Sequence, residues 1–160
     1  MALTTLGNTA FGTSSVVSAT LKDSAVVYNK LDANTAHIDR NQTITGRNTY
    51  SAAQRGSISA LGVQTSTVTL NMNTSNYFSL TANGNITIAN PSNTTAGQAG
   101  ALFVTANGNY TTSFGSHWRF AGGTAPTLST TAAKVDRIDY VVQTSNTIHA
   151  VATIDLLGTA

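Results

Sequence analysis

The 160-residue chain has no cysteine and no glutamate, and only 9% of its residues are charged, against about 25% in ordinary soluble domains. Each shortage excludes something. Without cysteine no disulfide or thiolate-metal framework can staple the fold, so stability must come from burial, from oligomerisation, or from both. Without glutamate the helix-favouring set is depleted, while Thr, Val, Ile and Tyr favour strands, and the bias points to an all-β protein. The formal net charge of +2 is carried by scattered Lys and Arg, and the pI of about 9.2 reflects few carboxylates rather than a basic patch. Nucleic-acid recognition needs cations clustered on one face, so a nucleic-acid partner is not expected. No window approaches the ~18 consecutive apolar residues of a membrane helix. Met1–Gly7 lacks the charged start and continuous apolar run of a signal peptide, so synthesis in a cytoplasm is expected, with no membrane partner. Asn-x-Ser/Thr triplets at Asn41, Asn73, Asn85, Asn93 and Asn109 arise by chance in so Asn- and Thr-rich a chain and mean nothing without a secretory signal.

What the chain does have is period-two alternation around Asn-rich turns. Phe78–Ala82 alternates with Ile86–Ile88 across Asn83-Gly84-Asn85, and Leu102–Ala106 with Tyr110–Phe114 across Asn107-Gly108-Asn109. The pentapeptide Thr-Ala-Asn-Gly-Asn occurs at Thr81–Asn85 and again at Thr105–Asn109. Alternation bounded by Asn-Gly predicts β-hairpins. For the apolar sets to share a face, Leu80 should oppose Ile88, and Val104 should oppose Thr112, leaving three-residue loops in which Asn tolerates φ > 0. A third hairpin is predicted between Ile138–Val142 and Ile148–Ile154 across Thr144-Ser145-Asn146. Ser57–Leu61 reads as a short strand or connection, Gln64–Leu70 as a Thr-rich strand, and Ala121–Pro126 as a Gly/Pro-marked loop. Seven or eight strands at this spacing predict a β-sandwich or jelly-roll-like domain over residues 50–160.

Residues 1–49 differ. Their apolar residues are isolated or in short pairs, with Lys22-Asp23, Lys30, Asp32, Asp39-Arg40 and Arg47 between them. A helical turn or two around Ser24–Leu31 is possible, capped by Asp23 or Ser24. Such a segment cannot bury enough apolar surface by itself. It reads as an extended N-terminal arm that docks on a partner through Leu21, Val27, Tyr28, Leu31 and Ile38.

Candidate chemistry is sparse. His37, His117 and His149 show no metal-ligand spacing and have no Cys or Glu to assist, so no metal is expected. Asp136 and Asp139 lie three apart, which on a strand sends them to opposite faces; Asp136 is expected to pair with a nearby Arg or to start a strand. Gly122-Gly123 has no following helix to make a phosphate site, and no Gly-x-Ser-x-Gly elbow occurs. Trp118-Arg119-Phe120 could stack on a sugar or a base, but alternation reads it as a core Trp and Phe with an outward Arg. No catalytic residue, no cofactor and no enzymatic activity are expected.

One stretch carries a resemblance. Ala53-Gln54-Arg55-Gly56 resembles a segment found in structural proteins of tailed bacteriophages, where it precedes a β-domain with the order seen here. That order runs Asn76-Tyr77-Phe78-Ser79-Leu80, Ala89-Asn90-Pro91, Ala96-Gly97-Gln98-Ala99-Gly100, Phe114–Leu128 and Val135–Tyr140. Leu21–Val26 is weakly similar to linker repeats of phage fibres. Such domains occur in tail fibres and in small proteins that decorate the head. At 160 residues the chain lacks a fibre's long stalk, so the resemblance implies a capsid decoration (cement) protein. It would be a homotrimer on the virion surface that binds the phage major capsid protein. The alternative is a short tail-fibre or receptor-binding tip that holds host glycan. A glycan-active enzyme would need a carboxylate pair that the chain does not offer in a plausible place.

Overall fold

The computed structural model describes Arg47 and residues 49–156. Leu21, Val27, Tyr28, Leu31 and Ile38, and the helical turn considered at Ser24–Leu31, lie outside the described residues. Nine strands follow Ser57: β1 Ile58–Gln64, β2 Thr67–Val68, β3 Tyr77–Ala82, β4 Ile86–Ile88, β5 Ala99–Ala106, β6 Thr112–Phe114, β7 Trp118–Arg119, β8 Val135–Thr144 and β9 Thr147–Thr153. The protein is all-β, as its composition predicts. A six-stranded sheet has the order β1-β3-β5-β8-β9-β7 and a three-stranded sheet the order β2-β4-β6.

The topology corrects two of the three hairpins. β3 does not pair with β4, nor β5 with β6; the members of each couple belong to different sheets. Instead β3 runs parallel to β5, with Leu80 opposite Val104 and the repeated Thr81-Ala82 opposite Thr105-Ala106. β4 runs parallel to β6, with Ile88 opposite Phe114, and β1 and β2 extend the two stacks in the same parallel sense. The chain therefore winds as stacked coils: a longer strand in one sheet, an Asn corner, a short strand in the other sheet, and a return. Period-two alternation is compatible with either course. A hairpin returns the apolar set to the same face, whereas a corner carries it to an opposing sheet across the same core. The expected three-residue link Asn83-Gly84-Asn85 is present, but it turns a corner. The predicted Thr-rich strand is also shortened, because Thr65-Ser66 forms the first corner and only Thr67-Val68 pair.

The third hairpin is as predicted. β8 and β9 are antiparallel, with Tyr140 opposite Ala150 and Val142 opposite Ile148. This hairpin closes the stack by laying β8 antiparallel on β5, and β7 then pairs parallel with the far side of β9. Five of the seven pairings are thus parallel. The loop predicted at Ala121–Pro126 begins as a single 3-10 turn, with Gly122 and Gly123 at φ of +69° and +73°, a region glycine enters without steric cost.

Both sheets face one core. Phe78, Leu80, Leu102, Val104 and Ile138 enter it from the large sheet, and Val68, Ile86 and Ile88 from the small one, all buried. Trp118 and Tyr140 meet edge to face at 5.9 Å, and Phe114 does the same with Trp118 at 5.9 Å and with Phe120 at 4.8 Å. Such geometries add about 0.5–1.5 kcal/mol per pair beyond burial. Trp118 is therefore core, Arg119 points outward, and Phe120 packs partly buried against the cluster, as alternation predicts.

Polar ladders hold the corners of successive coils in register. Asn107 Nδ2 donates to Asn83 Oδ1 at 3.1 Å, and Asn93 Nδ2 to Asn71 Oδ1 at 2.8 Å. Asn85 Oδ1 accepts from the Thr111 amide at 3.0 Å, and Asn90 Oδ1 from the His117 amide at 2.8 Å. These bonds join residues 22 to 27 apart in sequence, which is the length of one coil. Backbones also approach closely there: a Cβ on Gly115 would stand 2.7 Å from the Asn90 nitrogen, and one on Gly84 would stand 2.7 Å from the Thr65 carbonyl oxygen.

Candidate functional site

The side of the six-stranded sheet turned away from the core is where the chain offers a surface to something else. Register places its residues in rows. Ile58 is opposite Tyr77, Tyr77 opposite Ala101, Ala101 opposite Asp139, and Asp139 opposite Val151, one residue from each of five strands. The neighbouring row runs Ala99, Val141, His149 and Arg119. Large apolar side chains on this side stand in water: Ile58 is 57% exposed, Val63 62%, Val141 51% and Val151 66%. Scattered exposed apolar residues need no explanation, but a registered group on one sheet face marks an interaction surface.

Small residues make part of the face concave. Over Ale-sized positions Ala99, Gly100 and Ala101 of β5 lies a groove of about 730 Å³, bordered by Tyr77 on one side and by Val141 and Val151 on the other. Arg119, Asp139 and His149 reach it as well. Its charges are engaged: Arg137 Nε meets Asp139 Oδ2 at 3.0 Å, His149 Nε2 lies 2.8 Å from Gln143 Oε1, and Arg119 Nη1 donates to the Ser116 carbonyl at 2.5 Å. The groove can hold an apolar ridge, and its rim can exchange hydrogen bonds.

Compared with known proteins, the chain matches no family model, no curated protein and no solved structure. The geometry itself therefore carries the reading. His149 is outward and exposed on β9, as alternation predicts, and His117 precedes β7 with its amide bound to Asn90. Among the described residues no group of three or more His, Cys, Asp or Glu converges as metal ligands.

Asp136 and Asp139 do fall on opposite faces of β8. Asp139 lies outward beside Arg137, whereas Asp136 is buried at 1% exposure. No arginine pairs with Asp136, contrary to one of the two expectations, but it does stand at the start of a strand, as the second residue of β8. Its carboxylate accepts from the Ser129 amide at 2.6 Å, the Ser129 hydroxyl at 2.7 Å and the Asp155 amide at 2.7 Å. It fastens the incoming loop and the outgoing chain to the end of β8.

Beneath the groove, Tyr140 lies on the core side of β8, directly opposite Gly100. Its hydroxyl donates to the Asn76 carbonyl at 2.7 Å, and the same carbonyl accepts from the Ala101 amide at 3.1 Å. Burial, followed by the nearby Tyr77, pushes the Tyr140 phenol up to about 12.

Sequence reasoning singled out none of Tyr77, Val141 and Val151 as surface residues. A signal was present: Val141 and Val151 are apolar residues at the outward parity of strands whose inward positions are already filled by Tyr140, Val142, Ala150 and Ala152.

Proposed function

We propose that this is a non-enzymatic structural protein of a phage virion, a homotrimeric decoration (cement) protein that binds the major capsid protein on the outer surface of the head. The resemblance of residues 50–156 to phage structural β-domains supplies the class. The observation that carries the mode of action is the registered apolar face of the six-stranded sheet, which suits contact between broad surfaces. The finer fold reading is a sandwich in the sense that two sheets enclose one core, wound mainly by parallel coils rather than by the antiparallel turns of a jelly roll, with residues 1–49 as the arm that anchors on the capsid. Coils locked by asparagine ladders and a buried aromatic cluster give a stiff body suited to clamping neighbouring subunits. Cryo-EM of the virion tests the reading directly: density for this chain is expected across the head, and density confined to the tail would overturn it.

One observation favours the second reading, a receptor-binding tip. The groove combines the aromatic ring of Tyr77 with Arg119, Asp139 and His149, groups that can stack on a sugar ring and bond its hydroxyls. Glycan-array binding that is lost on changing Arg119→Ala would favour the tip over the cement protein.

A further inference from the structure

We infer that the outward face of the six-stranded sheet is the surface through which copies of this chain associate, three such faces converging about a threefold axis. The inference rests on the homotrimer reading above and deepens it by naming the surface.

The extent of the face fits this occupant. Five neighbouring strands about 4.8 Å apart, each with about seven residues at about 3.3 Å, span about 550 Å² before side-chain relief is added. One partner of a standard interface contributes about 800 Å². In a threefold arrangement each face meets both neighbours, so the whole of it is covered. The relief is also self-complementary. Tyr77, Val141 and Val151 form ridges, and the small residues Ala99 and Ala101 form the valley between them, so a ridge of one copy fits the valley of the next.

Charge permits the approach. The central ion pair Arg137–Asp139 is neutral as a unit, so identical faces meet without a buried like-charge contact. The rim cation Arg119 can reach a carbonyl or Asp139 of a neighbour. The edge of the same sheet is a poorer candidate. β1 is interrupted by an irregularity between Ala60 and Val63, at Gly62 with φ of +70°, and such bulges blunt an edge against further strand pairing.

The test uses the full chain. Light scattering of the unaltered protein should give a trimer at micromolar concentration, whereas the double variant Val141→Asp, Val151→Asp should dissociate at a protein concentration at least about ten-fold higher. Thr67→Asp, an exposed position on the small sheet, should leave the trimer unchanged. Because the chain has no cysteine, Val141→Cys or Val151→Cys should form intermolecular disulfides on mild oxidation, and Thr67→Cys should not. An unaltered protein that is monomeric would overturn both the trimer and this surface. A dimer broken by the double variant would overturn the trimer and keep the surface. A trimer that resists the double variant and yields no cross-links would keep the trimer and overturn the surface.

Discussion

Two buried polar side chains show how much of this fold hangs on single residues. Asp136 accepts three hydrogen bonds in a site with 1% exposure. Asp136→Asn keeps the shape but turns an amide group toward the Ser129 and Asp155 donors, and bonds to a charged acceptor are worth about 1.5–3 kcal/mol. We expect a loss of about that size in urea unfolding, whereas Asp139→Asn, on the exposed side, should change stability by less than about 0.5 kcal/mol. Tyr140 gives a pH signature. Its phenol is held up to about 12 when folded, against 10.0 ordinarily, so the folded state keeps a proton that the unfolded chain releases. The stabilisation is complete below pH 10 and is lost as the pH rises toward about 12. The melting temperature should therefore fall between these values, and more steeply than in Tyr140→Phe; equal slopes would remove Tyr140 as the cause.

At the scale of strands and corners, the Gly100–Tyr140 pair and the asparagine ladder set the register. A Cβ on Gly100 would stand 1.7 Å from the Asn76 oxygen and 2.8 Å from the Tyr140 hydroxyl. Overpacking of this kind costs about 1–3 kcal/mol, and Gly100→Ala should lower the thermal midpoint accordingly. Asn83→Ala removes one bond between coils and should cost about 1 kcal/mol, with Asn107→Ala no worse in its presence because both changes delete the same bond. Strand existence was legible from alternation, and so were the inward positions of Leu80, Ile88, Val104 and Trp118. Partner choice was not, because alternation constrains which face a residue takes and says nothing about which strand lies beside it. The repeat of Thr81–Asn85 at Thr105–Asn109 held that missing information. Identical segments one coil apart stack side chain on side chain, whereas two separate hairpins give no reason for the interval. The outward face was less legible still, since Val141 and Val151 become a surface only when β8, β9 and β5 are neighbours.

For the whole molecule, the cement reading divides two contacts between two regions: self-association on the large sheet and attachment to the shell through residues 1–49. The sequence of that region motivates the second contact, because Leu21, Val27, Tyr28, Leu31 and Ile38 are spaced too widely to make a core of their own. Full burial of one such side chain contributes about 1.5–3 kcal/mol, so several buried together would hold a subunit on a capsid, and three arms on one trimer would add avidity. Deleting residues 2–40 should leave the β-rich circular dichroism spectrum and the trimer intact, since the described core, its ladders and the large-sheet face all lie after residue 50. Sedimentation with undecorated capsids should show binding reduced by at least about ten-fold. The double variant Val141→Asp, Val151→Asp should weaken capsid binding differently: the monomer would still attach through its one arm, with the avidity gone, and adding protein should restore occupancy. Unchanged binding by the truncated chain would move the capsid contact onto the β-domain and sink the division of labour between the two regions.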